Sequence, residues 1–131
     1  MKLHQSAPAG RNAFTGYGEN YVLVNDTRYE SSIVVLPDGP VRPWPVSTLK
    51  SLDEKQLAEL AALEVELVLL GTGRRLVFPS PALLAPLAKA RIGVEVMDTP
   101  AACRTYNILM GEGRKVAAAL VLESAGTPGD C

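Results

Sequence analysis

The residues best suited to chemistry in this sequence stand in two short motifs, one rich in glycine and one carrying a cysteine. The first is Leu70-Gly71-Thr72-Gly73-Arg74-Arg75, where an apolar run meets two glycines and two arginines. Backbone N–H groups of such a turn can hold an anion, and guanidinium groups can bind it through paired hydrogen bonds. The motif has neither the third glycine of a dinucleotide-binding loop nor the lysine of a Walker A loop. Two interpretations remain, a plain turn and an anion-binding loop.

The second motif covers residues 97–107, and its polar residues have helical spacing. Thr99, Cys103 and Asn107 are four residues apart, so a helix would place them on one face. If that helix begins just beyond a parallel strand, the face looks into the crevice at the strand ends, where the glycine turn also lies. The structural alternative is that Asp98 and Thr99 cap the helix, Cys103 is a small buried side chain and Asn107 bonds a neighbouring backbone group.

Together the two motifs predict one crevice for a ligand or a protein partner. Its glycines indicate a positive φ or a close approach of another group to the backbone, and we expect a ligand or partner backbone to pack there. The alternative for the arginines is a solvated surface paired with acids. The predicted crevice consists of Gly71, Thr72, Gly73, Arg74, Asp98, Thr99, Cys103, Arg104, Tyr106, Asn107 and Arg114.

Residue types needed for catalysis or metal binding are scarce. The only histidine is His4, and the only cysteines, Cys103 and Cys131, are too far apart for a Cys-x-x-Cys pair. A neighbouring arginine and a helix N-terminus would lower the pKa of Cys103, but the sequence offers it no histidine base. We therefore expect no catalytic residue, no metal and no cofactor.

Composition limits the class of protein. The 131 residues are 47% hydrophobic and 21% charged, with a formal net charge of -1, which fits one globular domain and gives no overall field that would attract nucleic acid. No apolar run reaches the ~18 residues of a transmembrane segment, and the N-terminus does not have the pattern of a secretory signal. The expected location is cytoplasmic.

The elements that must position the motifs follow from hydrophobic periodicity and turn residues. The pattern predicts a layered α/β fold with a mixed β-sheet, βαβ units and an N-terminal β-hairpin. Residues 1–18 are expected to form an irregular arm, 19–123 the domain and 124–131 a disordered tail. Predicted strands cover residues 21–24, 29–36, 41–46, 65–70, 93–97 and 115–123, with 65–70 at the centre of the sheet. The first predicted helix runs from 52 to about 63, and the second from 81 to about 91 with Ser80 as its N-cap. The third has Thr99 as its N-cap and Pro100 as its first helical residue, and it ends at 110.

Four segments in order resemble a known family: ELVLLGTG at 66–73, GVEVMDT at 93–99, ACRTYNIL at 102–109 and EGRKVAAAL at 112–120. They resemble domain of unknown function 498, the family that includes the mitochondrial complex I assembly factor three, over about residues 19–122. The resemblance implies a compact three-layer α/β domain, no known catalytic residues and, for the mitochondrial relative, a protein partner. The chain begins without the targeting extension of the mitochondrial relatives, so we expect a bacterial protein.

Two functions are compatible with these features. The first is a non-enzymatic protein-interaction or assembly factor, related to respiratory complex I assembly. The alternative is a binding protein or enzyme that takes a small anion or carbonyl compound in the predicted crevice. Expected partners are accordingly a protein and, second, a small anionic ligand, without nucleic acid.

Overall fold

The computed structural model describes residues 10–123, whose strands form two sheets. The smaller sheet is antiparallel, with the order β1-β2-β3, and the larger is mixed, with the order β5-β4-β8-β6-β7. The strands are β1 (Phe14–Gly18), β2 (Tyr21–Val24), β3 (Thr27–Tyr29), β4 (Ile33–Val35), β5 (Arg42–Pro43), β6 (Leu67–Gly71), β7 (Gly93–Met97) and β8 (Val116–Leu120). The α-helices are α1 (Glu54–Ala61), α2 (Ala85–Lys89) and α3 (Thr99–Gly111), and Leu49–Ser51 and Pro81–Leu84 are 3-10 turns.

The larger sheet lies between two apolar layers. On one face, Ala118 and Leu120 of β8 join a core cluster with α3 and with the small sheet. On the other face, Ala117 and Ala119 join a second cluster that contains Leu57 of α1 and Leu87 of α2. Every residue of β8 is buried. The expected α/β fold with a mixed sheet and covering layers is therefore confirmed.

The strand predicted at 65–70 as a central strand is interior to the large sheet, and the middle place itself belongs to β8. β6 pairs in parallel with β7 on one side and with β8 on the other, while β8 pairs antiparallel with β4. The strand predicted at 65–70 is thus interior, one place away from the middle. The alanines of β8 lower its apparent strand character, yet they let helices approach both faces of the sheet closely.

The N-terminal hairpin turns at Asn25 and Asp26, whose φ angles are +49° and +68°. Positive φ at both central residues is the geometry of a two-residue type I′ turn. The strand predicted at 29–36 is wrong as a single element, because the chain pairs with β2 up to Tyr29 and enters the other sheet at Ile33. Ser32 lies buried between these strands, and its hydroxyl donates to the carbonyl of Val46 at 2.5 Å.

The prediction of an irregular arm is wrong for Phe14–Gly18, which form β1 and pair with β2. Two glycines among five residues hide this strand from pattern analysis. Phe14 is fully buried, and its ring meets the Tyr106 ring edge-on at 5.1 Å between centroids. The rest of the predicted arm, residues 1–9, and the predicted tail, residues 124–131, lie outside the described residues.

Two helix starts also differ from expectation. The N-cap of α3 is Asp98 and not Thr99, because the Asp98 carboxylate accepts the N–H of Ala101 at 2.8 Å. Ser80 makes no capping bond, and the helix predicted at 81–91 splits into a 3-10 turn followed by the short α2. Pro86 has no N–H to donate, so a continuous α-helix cannot pass through it with all its hydrogen bonds.

Within residues 10–123, no helix is both long and apolar enough to cross a bilayer.

The small sheet is joined to α3 by one buried amide. The Asn107 Oδ1 accepts the N–H of Phe14 at 2.9 Å, and the Asn107 Nδ2 donates to the carbonyl of Phe14 at 2.7 Å. Asn107 is 2% exposed, so water does not compete for these two bonds. The side-chain amide pairs with β1 as the backbone of a neighbouring strand would.

We expect Asn107→Leu to destabilise the protein strongly. The substitution leaves a buried N–H and a buried carbonyl without partners, at about 1–3 kcal/mol each, so the free energy of unfolding should fall by roughly 2–6 kcal/mol. Thr105→Ala, on the same helix with its side chain half-buried, is the matched control and should change stability by about 0.5 kcal/mol or less. Urea unfolding of the three proteins measures both values, and equal stability of Asn107→Leu and wild type would contradict this role.

Candidate functional site

The glycine turn and the start of α3 meet at the carboxyl end of β6, as the sequence predicts. The N–H of Gly73 donates to the Thr99 hydroxyl at 2.9 Å, and the N–H of Thr99 donates to the carbonyl of Gly73 at 2.8 Å. The N–H of Thr72 bonds the carbonyl of Met97 at 2.9 Å, which extends the pairing of β6 with β7. These bonds fix the turn against the start of α3. They also use the backbone and hydroxyl groups that the turn and the helix present to each other.

The two glycines have separate intramolecular causes. A Cβ at Gly71 would lie 2.7 Å from the Leu120 side chain and 3.0 Å from the Thr99 hydroxyl. Gly73 has φ +98°, a conformation that side chains disfavour, while only the carbonyl of Val121, at 3.9 Å, lies near the position of its missing Cβ. The expectation that a ligand or partner backbone packs on the turn is therefore wrong at Gly71, where the chain's own side chains fill the space.

Thr72 fixes the segment that follows the turn. Its buried hydroxyl donates to the carbonyl of Arg75 at 2.5 Å and accepts the N–H of Val77 at 3.2 Å. Leu76, Val77 and Phe78, which we call the apolar loop, are 50%, 46% and 71% exposed. Sequence reasoning missed this loop, although three apolar residues between two arginines and a proline, with no strand or helix pattern, are a usable signal.

Three predicted crevice residues lie inside the core. Cys103 and Tyr106 are fully buried and Asn107 nearly so, because this face of α3 packs on the large sheet and on β1. The Tyr106 hydroxyl donates to the carbonyl of Asn12 at 3.0 Å. Their placement in an open crevice is wrong. For Cys103 and Asn107 the structural alternative holds, namely a small buried thiol and an amide bonded to backbone, while Tyr106 is a core aromatic.

The arginines lie on the surface in different places. Arg104 donates to the Tyr17 hydroxyl at 2.8 Å, and Arg74 forms an ion pair with Glu19 at 3.1 Å, so both contact the β1 end of the small sheet. Arg114 bonds Glu66 at 2.5 Å. Because β6 and β8 are parallel and start just after these two residues, Arg114 lies at the opposite end of the sheet and is not part of the crevice.

The remaining predicted residues are thus Gly71, Thr72, Gly73, Arg74, Asp98, Thr99 and Arg104, grouped around the carboxyl end of β6. Their arrangement offers an ordered surface and two exposed guanidinium groups. Over the described range, no three His, Cys, Asp or Glu side chains are placed to hold one metal ion.

We expect Cys103 to be unreactive in the folded protein. Burial raises the pKa of its thiol to about 12, outweighing the opposite effect of Arg104. The thiolate is the reactive form, so iodoacetamide at pH 7 should label Cys103 at least about 100-fold more slowly than in urea. Peptide mass spectrometry separates Cys103 from Cys131, and rapid labelling of Cys103 in the folded protein would contradict this.

The two glycines give a second expectation. Gly71→Ala forces a methyl group against Leu120 and Gly73→Ala requires a disfavoured φ, so each should lower the free energy of unfolding by about 1–3 kcal/mol. Gly111→Ala is the control, since its added Cβ meets nothing within 4 Å and its φ is not positive. Thermal and urea unfolding compare the three, and a neutral Gly71→Ala would mean that the contact relaxes freely.

A protein family and a solved structure match this chain. The sequence profile of the family described as protein of unknown function (DUF498/DUF598) matches residues 14–121. A Bordetella parapertussis protein of known crystal structure is 43% identical, with a TM-score of 0.82 over 88% of this chain and 100% of the other.

Two mammalian relatives carry the name NADH dehydrogenase (ubiquinone) 1 alpha subcomplex assembly factor 3. The Bos taurus protein is 35% identical over 113 residues, which are 85% of this chain and 61% of that protein. The Homo sapiens protein is 34% identical over 129 residues, or 97% of this chain and 70% of the other. This chain therefore spans about two thirds of the length of these relatives. With a profile match over most of its length, the chain belongs to the DUF498/DUF598 family.

Proposed function

We propose that this protein is a non-enzymatic interaction or assembly factor that contacts a protein partner through the apolar loop. The observation that carries the proposal is the exposure of Leu76, Val77 and Phe78 on a segment that Thr72 holds in place. The names of the mammalian relatives support the same role.

The energetics of the loop favour binding. Burying an exposed Leu or Phe side chain stabilises a complex by roughly 1.5–3 kcal/mol. A loop that is already ordered by two hydrogen bonds loses little conformational entropy when a partner binds it. Arg75 beside the loop has no ion-pair partner among the described residues, so it can pair with an acidic group at the edge of a partner's apolar surface.

The partner that we propose belongs to respiratory complex I or to its assembly intermediates. The basis is the assembly role stated in the names of the mammalian relatives. A cytoplasmic location and a bacterial source are part of the same proposal.

The alternative, a small-molecule site or enzyme at the crevice, has less support. The hydroxyls of Thr72 and Thr99 and the carboxylate of Asp98 are each bonded to backbone groups of the chain itself. Cys103 is enclosed and its thiol pKa is raised. These groups therefore have little capacity left to hold or activate a substrate.

We expect Phe78→Ser to abolish partner binding without unfolding the protein. Phe78 is 71% exposed, so its replacement by serine removes apolar contact area from the loop. Loss of one central aromatic contact typically weakens a complex at least about tenfold. Tagged wild-type and variant proteins are expressed in the native host and chemically crosslinked, and the proteins bound to each are identified by mass spectrometry. The expected result is that complex I subunits crosslink to wild type and are lost with Phe78→Ser.

Ile108→Ser is the matched control, because Ile108 is a 54% exposed apolar residue on α3 and outside the loop. Its crosslinks should equal those of wild type. Equal loss with both variants would show nonspecific apolar adhesion, and retention of all partners by Phe78→Ser would contradict the role of the loop.

A further inference from the structure

A groove opens at the end of the large sheet opposite the apolar loop. Three connections meet there: the turn after β4, the connection from α1 to β6 and the connection from α3 to β8. The groove encloses a volume of about 580 Å³, within the range of small-molecule sites. Leu36, Leu63 and Val65, which are part of its wall, also pack against the core cluster under α1 and α2.

Cationic groups are concentrated along this groove although the chain as a whole has a net charge of -1. Arg11, Arg42, Arg114 and Lys115 line it, against the two acids Asp38 and Glu64. Arg11 faces Asp38 at 3.7 Å, whereas Arg42 and Lys115 form no ion pair with any residue of the described range. The apolar wall is therefore bordered by two cationic side chains, Arg42 and Lys115, that form no ion pair, although the Glu66 charge also acts on Lys115.

Arg114 is bonded by a carboxylate that does not line the groove. Its Nε bonds the Glu66 carboxylate at 2.5 Å, and the terminal guanidinium nitrogens have no hydrogen-bond partner within the described range. This bond lowers the pKa of Glu66 and raises that of Arg114, so both groups stay charged. An oriented guanidinium with unused N–H groups binds a planar carboxylate through two parallel bonds.

We propose that this groove, which we call the basic groove, binds a small organic carboxylate whose apolar body lies on Leu63 and Val65. Arg114 and Lys115 receive the carboxylate, and Arg42 adds attraction from the β5 side. Glu64, at the same groove, opposes the anion and limits its affinity. This ligand site is separate from the partner contact of the apolar loop, because the two lie at opposite ends of the sheet.

The test uses hexanoate as the probe and hexanamide as its neutral counterpart of equal shape. Titration of the full-length ¹⁵N-labelled protein, followed by NMR, should give saturable shifts of the amides at residues 63–65 and 113–115 with hexanoate, in the millimolar range. Hexanamide should leave these amides nearly unchanged. Lys115→Glu, at an exposed position, should weaken hexanoate binding at least about tenfold, since it reverses one charge beside the ligand.

Lys89→Glu is the control for net charge, because Lys89 is exposed at the end of α2 and does not line the groove. It should bind hexanoate within about twofold of wild type, as a distant screened charge has little effect. Glu64→Gln should tighten binding, because it removes the opposing charge. Phe78→Ser should bind hexanoate like wild type, so failure of this proposal and failure of the loop proposal are distinguishable.

Three results would overturn the proposal. The first is the absence of any saturable shift at the groove amides with hexanoate. The second is an equal response of those amides to hexanamide, which would indicate a purely apolar cleft. The third is equal weakening by Lys89→Glu and Lys115→Glu, which would indicate attraction to overall charge and no specific site.

Discussion

The burial of β8 on both faces is the constraint on which the rest of the molecule depends. A strand without an exposed face requires an apolar layer on each side, and α3 supplies one layer while α1 and α2 supply the other. Small side chains at Ala117, Ala118 and Ala119 let both layers come close to the sheet. With α3 fixed in this way, Asn107 can reach the backbone of Phe14 and hold the small sheet in place.

The same constraint explains how much of the fold could be read from the sequence. The strands at 67–71 and 93–97 were predictable because short apolar runs end at glycine or at a helix cap, and α1 because its apolar residues recur with helical spacing. β1 was not predictable from apolar pattern, since glycines occupy two of its five positions. One edge of β1 pairs with β2, and at Phe14 the chain is bonded by an asparagine side chain 93 residues away in the sequence.

The two predicted motifs meet in space as expected, but three of the predicted crevice residues are buried. Spacing placed Thr99, Cys103 and Asn107 on one face, but spacing does not tell whether that face looks toward solvent or toward a second sheet. The packing of β1 on α3 decided this, and β1 was the element that the pattern had hidden. The exposed apolar groups lie instead on the loop after Thr72, which the Thr72 hydroxyl orders through bonds to residues only three and five positions away. Such bonds produce no periodic pattern of apolar residues, so hydrophobic periodicity does not reveal them.

Strand order in the large sheet has a consequence for synthesis on the ribosome. β8 is the last strand of the described chain, yet it fills the place between β4 and β6. Until residues 116–120 leave the exit tunnel, β4 and β6 each keep an open edge, and the two halves of the sheet cannot join. The nascent chain therefore cannot complete its sheet piece by piece from the N-terminus, and closure of the domain awaits the insertion of one five-residue strand near its end.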